Sequence, residues 1–185
     1  DTFAFLYDSD GTEHALGEVR HPDGDGLINA TVAFTHPETG QAYAVTRSGV
    51  INKLTVNDGS VVAEKVGTPP SLEELGTNFN FMQAGYEYRP VDGKFYIWNG
   101  GSEIVRWSPD TGEYEILWND NAGEAPPEVA GANGRNFEKW TYLEEEDVFA
   151  GVMQGEPFLW RPGDNPPDLN EADIGTVQLD YQTTG

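Results

Sequence analysis

Residues 86–118 read YEYRPVDGKFYIWNGGSEIVRWSPDTGEYEILW, and this stretch decides the fold. Large apolar residues recur at every second position, the period of a strand with one covered face. Tyr86 to Arg89 predicts a first strand. Pro90-Val91-Asp92-Gly93 predicts a turn, because Pro presets φ and Gly accepts a positive φ. Lys94 to Asn99 predicts a second strand, with Phe95, Ile97 and Trp98 apolar. Gly100-Gly101 turns the chain, and Glu103 to Trp107 predicts a third strand. After the turn Ser108-Pro109-Asp110-Thr111-Gly112, Glu113 to Trp118 predicts a fourth. Short turns between successive runs imply four antiparallel strands in up-and-down order.

The unit recurs on both sides. Before it come Thr31 to Thr35, Gln41 to Thr46, Val50 to Val56 and Ser60 to Val66, with His36-Pro37-Glu38-Thr39-Gly40, Ser48-Gly49 and Asn57-Asp58-Gly59 as turns. After it come Glu138 to Leu143, an acidic turn at Glu144 to Glu146, Asp147 to Met153, and Phe158 to Trp160. Phe34, Tyr88 and Tyr142 lie 54 positions apart, twice. That spacing predicts equivalent buried places on three first strands, with Phe95 and Phe149 on second strands and Leu54, Trp107 and Trp160 ending third strands. A repeat of this length built from four short strands is the pattern of β-propeller blades. The fold class expected is therefore all-β, with blades of four antiparallel strands, about three to four in number.

Residues 1–185 form a single domain on this reading, with blades from about 31, 85 and 138. Thr2 to Tyr7 and Thr12 to Val19 predict a partial blade over residues 1–19. Alternation at Val177, Leu179 and Tyr181 predicts a closing strand over about 175–182, whereas Pro166-Pro167 interrupts the place of a fourth strand in the third blade. Two arrangements fit this layout: closure by pairing of the two ends, or a piece of a larger propeller completed by other chain segments. The opening residue Asp1 reads as a processed or excised start. One short helix is expected, over Ser71 to Leu75 after Pro70.

Composition narrows the partners. Thirty-two acidic and ten basic residues give a formal net charge of −22. Nucleic acids and anionic membranes need a basic patch to displace counterions, so neither is expected as a partner. An acidic coat suits a salty or extracellular setting, so the expected location is secreted, extracellular, periplasmic or at a cell surface. The chain has no Cys, which removes disulfides, zinc–thiolate sites and thiol nucleophiles. Five Trp, eight Tyr and nine Phe supply a core of rings, and 22 Gly with 12 Pro suit a fold of many turns.

The stretch Tyr88-Arg89-Pro90-Val91-Asp92-Gly93-Lys94-Phe95-Tyr96-Ile97-Trp98-Asn99-Gly100-Gly101, together with residues 134–142, resembles the kelch-like β-propeller repeats of bacterial extracellular proteins. The resemblance spans roughly residues 30 to 162 by pattern, and the double Gly occurs once. It implies a propeller with a site carried on loops, and it implies no specific activity.

In an up-and-down blade, the two-to-three turns share one face with the connections between blades. That face should carry the long segments Gly67 to Gln83 and Asn119 to Phe137, and long loops in compact domains are commonly functional. Asn78, Asn80, Asn99, Arg135 and Asn136, with Trp98 nearby, supply amides, a guanidinium and a ring, an inventory suited to sugars. The plainer reading is that the amides satisfy loop backbone and the rings fill the core. Asp8-Ser9-Asp10-Gly11 and Asp23-Gly24-Asp25-Gly26 place Asp8, Asp10, Asp23 and Asp25 where calcium loops begin, although hairpin turns explain them equally well. Calcium is the one cofactor this pattern raises. Three unconnected histidines, no GxSxG elbow and no phosphate-binding glycine motif leave transition-metal, serine-hydrolase and nucleotide chemistry unsupported. The expected function is a non-catalytic extracellular binding module for a glycan or protein, using the long-loop face. A polysaccharide-active lyase or hydrolase, or a structural assembly subunit, is the alternative.

Overall fold

The computed structural model describes residues 3–7, 11–20, 30–57, 60–75, 79–99, 103–118, 140–153 and 156–162. The chain is all-β, with one short helix among the described residues. The central unit folds as β7 (Gly85–Arg89), β8 (Lys94–Trp98), β9 (Ile104–Trp107) and β10 (Tyr114–Trp118), a four-stranded sheet in the order β10-β9-β8-β7. The first unit folds as β3 (Ala30–Thr35), β4 (Ala42–Thr46), β5 (Ile51–Asn57) and β6 (Ser60–Gly67). The third gives β11 (Trp140–Leu143), β12 (Val148–Met153) and β13 (Glu156–Trp160), in that order. Its fourth strand and the closing strand expected over 175–182 lie outside the described residues.

The N-terminal hairpin behaves differently from the partial blade expected over residues 1–19. β1 (Phe3–Tyr7) and β2 (Glu13–Arg20) pair antiparallel, and β2 then joins β6 in parallel through Val19↔Val61 and Arg20↔Val62. The first sheet is therefore six-stranded, β1-β2-β6-β5-β4-β3. Parallel addition covers the edge that an outer strand would otherwise leave unpaired.

Two layers of rings join the three sheets face to face. Tyr43, Val45 and Ile51 of the first sheet pack with Phe95, Ile97, Val105 and Trp107 of the second. From the opposite face of the second sheet, Tyr96, Trp98 and Ile104 pack with Trp140, Phe149, Phe158 and Trp160 of the third. A sheet covered on both sides has no outward face, so apolar residues at consecutive positions 95–98 are all buried.

The turns set the true register of the repeat. Gly40, Gly93 and Asp147 each occupy the last turn position with positive φ, at 71°, 67° and 52°. Thr35↔Ala42 in the first sheet thus matches Tyr88↔Phe95 and Tyr142↔Phe149 in the others. Phe34, paired with Tyr43, corresponds to Glu87, paired with Tyr96, and not to Tyr88. The 54-residue spacing holds between the second and third units and slips by one residue at the first. This slip turns Phe34 and Tyr43 toward the second sheet, where Phe34 stacks on Tyr86 at 4.8 Å. Between the second and third units the match extends to geometry. Tyr88–Phe95 and Tyr142–Phe149 ring centroids are 5.2 and 5.0 Å apart, and Phe95–Trp107 and Phe149–Trp160 share interplanar angles of 35° and 34°. Phe34, Tyr88 and Tyr142 are half-buried rather than enclosed, whereas Phe95 and Phe149 are fully buried.

The segment after β6 carries α1 (Leu72–Leu75). Ser71 and Glu74 form a capping box: the Ser71 amide donates to Glu74 Oε2 at 2.8 Å, and the Glu74 amide donates to Ser71 Oγ at 3.3 Å. Two of the backbone donors at this helix start are satisfied this way. Leu75, Phe79 and Phe81 then plug the first layer. Phe81 lies so close over the Ser48-Gly49 turn that a Cβ on Gly49 would sit 2.4 Å from its ring.

Candidate functional site

The residues proposed on the long-loop face divide sharply. Asn78, Arg135 and Asn136 lie outside the described residues, as do Asp8, Asp10, Asp23 and Asp25. Asn80 is half-buried, and its Oδ1 accepts from the Met82 amide at 3.1 Å, closing its own turn. Trp98 is fully buried, 5.1 Å from Phe158 and 5.6 Å from Trp140 by ring centroid. It is a core residue and presents no ring to a ligand, which corrects the placement drawn from sequence. Asn99 is also fully buried, so its amide serves the interior. Much of the long segment 67–83 is likewise spent on the core, through Leu75, Phe79 and Phe81. Among the described residues, no group of three His, Asp or Glu side chains is placed to hold a metal ion.

Among the described residues, a concave feature lies elsewhere, at the outer margin of the first and second sheets. A cleft of about 910 Å³ runs from the end of β6 and residues 68–70, across the β9–β10 hairpin, to Lys94, Arg106 and Glu115. Its position follows from local chain geometry. Gly67 ends β6, and Pro69-Pro70, which cannot continue a strand ladder as donors, line the cleft next to it. Gly112, at φ 74°, lets the hairpin approach β6 so closely that a Cβ there would lie 2.2 Å from the Val66 carbonyl oxygen. Tyr114 fastens the hairpin from below, its hydroxyl donating to the Gly49 carbonyl at 2.7 Å.

The walls carry three cations, Lys65, Lys94 and Arg106, and three carboxylates, Glu74, Glu113 and Glu115. On a chain of net charge −22, a charge-balanced cleft is a local departure from the acidic surface. Thr68, Ser108 and Thr111 add hydroxyls, and Pro69 and Pro70 add apolar surface.

Lys94, Arg106 and Glu115 belong to a wider polar network. The strand register places Arg106 and Glu115 beside Tyr96, on the side facing the third sheet. Arg106 Nη1 lies 3.2 Å from the Tyr96 hydroxyl and 3.5 Å from Asp92 Oδ2. Tyr96 donates to the same Asp92 oxygen at 2.7 Å. Burial, then this bond to a carboxylate, pushes the Tyr96 hydroxyl up to about 12. Arg89 Nη1 approaches Asp92 Oδ2 at 3.4 Å and also grips Asp147 bidentately, Nε to Oδ1 and Nη2 to Oδ2, both at 2.6 Å. Tyr142 donates to Asp147 Oδ1 at 2.8 Å. The Arg89 guanidinium holds the Asp147 carboxyl below its usual range. Nearby, burial raises Glu87, whose Oε2 accepts from the Tyr142 amide at 3.4 Å. These contacts tie the second and third sheets together. Tyr96 is fully buried, so the network's centre is closed and only its Lys94–Arg106–Glu115 end reaches the cleft.

Sequence reasoning missed this cleft because its walls come from residues 65–74, 94 and 106–115, far apart along the chain. The one available signal was the clustering of three of the ten basic residues on elements that the repeat makes neighbours.

The chain matches no family model and no curated protein sequence. Among solved structures it is similar to a structural genomics protein of unknown function from Bacteroides thetaiotaomicron, with 10% identity and a TM-score of 0.47. The match covers 86% of this chain and 38% of that one. The chain thus spans well under half the length of that protein.

Proposed function

We propose that this chain is part of an extracellular, kelch-like β-propeller that binds a glycan without turning it over, and that the cleft at the sheet margin is the binding site. The observation carrying this reading is a charge-balanced, hydroxyl-bearing cleft of about 910 Å³ on an otherwise acidic chain. Such walls offer both donors and acceptors, which a polyhydroxylated ligand needs at many points. Concavity favours a saccharide over a flat protein surface. The propeller reading draws support from turn-matched units and from sheets stacked through two ring layers. An acidic coat suits a secreted setting. The strongly acidic charge weighs against nucleic acid and anionic membranes as partners.

A glycan array, read beside reducing-end and unsaturated-product assays, tests the reading. Thr68→Trp and Thr111→Trp are the controls, since both residues are exposed at the cleft and a ring there obstructs it. Retention by the parent protein, lost in both variants and without product, is the expected result. Product release would replace the binding reading with a lyase or hydrolase. Retention undiminished in both variants would reject the cleft.

A further inference from the structure

We infer that the inner end of the cleft is an anion subsite, at present occupied by the protein's own Glu115, and that the ligand is a glycan carrying a carboxylate or sulfate. This deepens the glycan-binding reading and rests on it. The inference starts from how Arg106 is used. One side of its guanidinium is fixed from behind, with Nη1 near the Tyr96 hydroxyl and Asp92. The other side, Nε and Nη2, points at a single oxygen, Glu115 Oε2, at 2.7 and 2.6 Å. Lys94 Nζ lies 4.0 Å from that same oxygen. A guanidinium edge matches a carboxylate best when each N–H has its own oxygen. Glu115 fills the subsite with only one.

Exposure decides which partner can leave. The Glu115 side chain is 53% exposed, whereas Arg106 and Lys94 are 23% and 30% exposed. Exposed ion pairs are weak, so swinging Glu115 into water costs little. Arg106, by contrast, is held by Tyr96 and Asp92, and Lys94 is the less exposed member of its own pair with Glu115. With Glu115 withdrawn, the cleft's balance shifts to excess positive charge at this end. An incoming carboxylate or sulfate then takes two N–H donors from Arg106 and the charge of Lys94. The chain's overall negative charge opposes this only weakly at physiological salt, because screening acts over about 8 Å. Glu115 thereby acts as a selectivity filter: it lets acidic saccharides compete for a site that it guards from free solvent anions.

The test is calorimetric titration of the full chain with a galacturonate pentamer, a sulfated galactose pentamer and an unmodified galactose pentamer. Glu115→Gln removes the internal competitor and keeps the side chain's size. The ratio of acidic to neutral affinity should rise roughly fivefold or more in this variant. Lys94→Gln should lower the ratio by a factor of about three to ten. Which acidic pentamer gains more identifies the group, carboxylate or sulfate. An unchanged or reduced ratio in Glu115→Gln, or a neutral pentamer bound as well as both acidic ones, overturns the anion subsite and leaves a neutral-glycan cleft standing. Binding of all pentamers unaffected by Thr111→Trp overturns the cleft itself, and the subsite with it.

Discussion

Replacing Asp147 by Gly removes a clamp between the second and third sheets and relieves a backbone penalty at the same position. Asp147 stands at φ 52°, where the sister turns use Gly40 and Gly93. A non-glycine residue there costs about 1 kcal/mol. In return its carboxylate takes both N–H donors of Arg89 at 2.6 Å and the Tyr142 hydroxyl at 2.8 Å. The Arg89 side chain is 11% exposed and Asp147 33%, so the pair lies between surface and interior. Exposed pairs contribute about 0.2–1 kcal/mol, and breaking a buried pair costs about 3–5 kcal/mol. Asp92, 3.4 Å from Arg89, softens the loss. The clamp is then worth about 2.5 kcal/mol, and Asp147→Gly should destabilise by about 1.5 kcal/mol once the backbone relief is credited. Asp147→Ala keeps the strain and loses the clamp, so it should be about 1 kcal/mol worse than Asp147→Gly. Urea unfolding at pH 7 measures both. Acid adds a sign. Because Arg89 lowers the Asp147 pKa in the fold, the clamp's contribution is complete above the unfolded value of about 3.9 and is lost as pH falls through the folded value. The gap between parent and Asp147→Gly should therefore close below about pH 4. A Gly variant at least as stable as the parent at pH 7 would refute the clamp.

Three other outcomes follow from the same packing. Gly112→Ala should cost roughly 2–4 kcal/mol, from its positive φ and from the Val66 carbonyl in the path of the new methyl; thermal unfolding reads it, and a near-neutral change would mean the hairpin is not seated on β6. Burial and the bond to Asp92 push the Tyr96 hydroxyl up to about 12, so it should add nothing to the phenolate absorbance near pH 10, and Tyr96→Phe should leave the phenolate absorbance at that pH unchanged; a fall in it would refute the closed site. Phe149→Ala, at a fully buried ring in the second layer, should cost about 3–5 kcal/mol in urea, against a smaller loss for the half-buried Tyr88→Ala.

Much of the fold is legible because strand period and turn chemistry are local. All four strands of residues 86–118 fall where alternation and the Pro, Asp and Gly turns put them. Even the helix start at Ser71 is written in a Ser–x–x–Glu spacing. What misled was the identity of rings. Phe34 resembles Tyr88, and only the turn glycines, Gly40 against Gly93, reveal the one-residue slip. Trp98 misled for a related reason. In a sheet covered on both faces, neither parity points outward, so a tryptophan at a strand end carries no sign of exposure. The cleft was illegible because it depends on how closely the β9–β10 hairpin approaches β6, a long-range distance set by Gly112 and Tyr114 together. The hairpin at residues 3–20 gave its strands but not its partner, since parallel pairing with β6 leaves no mark in either sequence.

Hydrogen exchange followed by mass spectrometry, with and without the tightest-binding oligosaccharide from the array, tests the central claim most directly. Exchange slows where a ligand orders or covers backbone. Added protection should be confined to residues 65–74, 106–115 and the start of β8 at Lys94, the walls of the cleft. Protection of residues 79–83 and of Asn99, with those walls unchanged, would contradict this and return the site to the long-loop face.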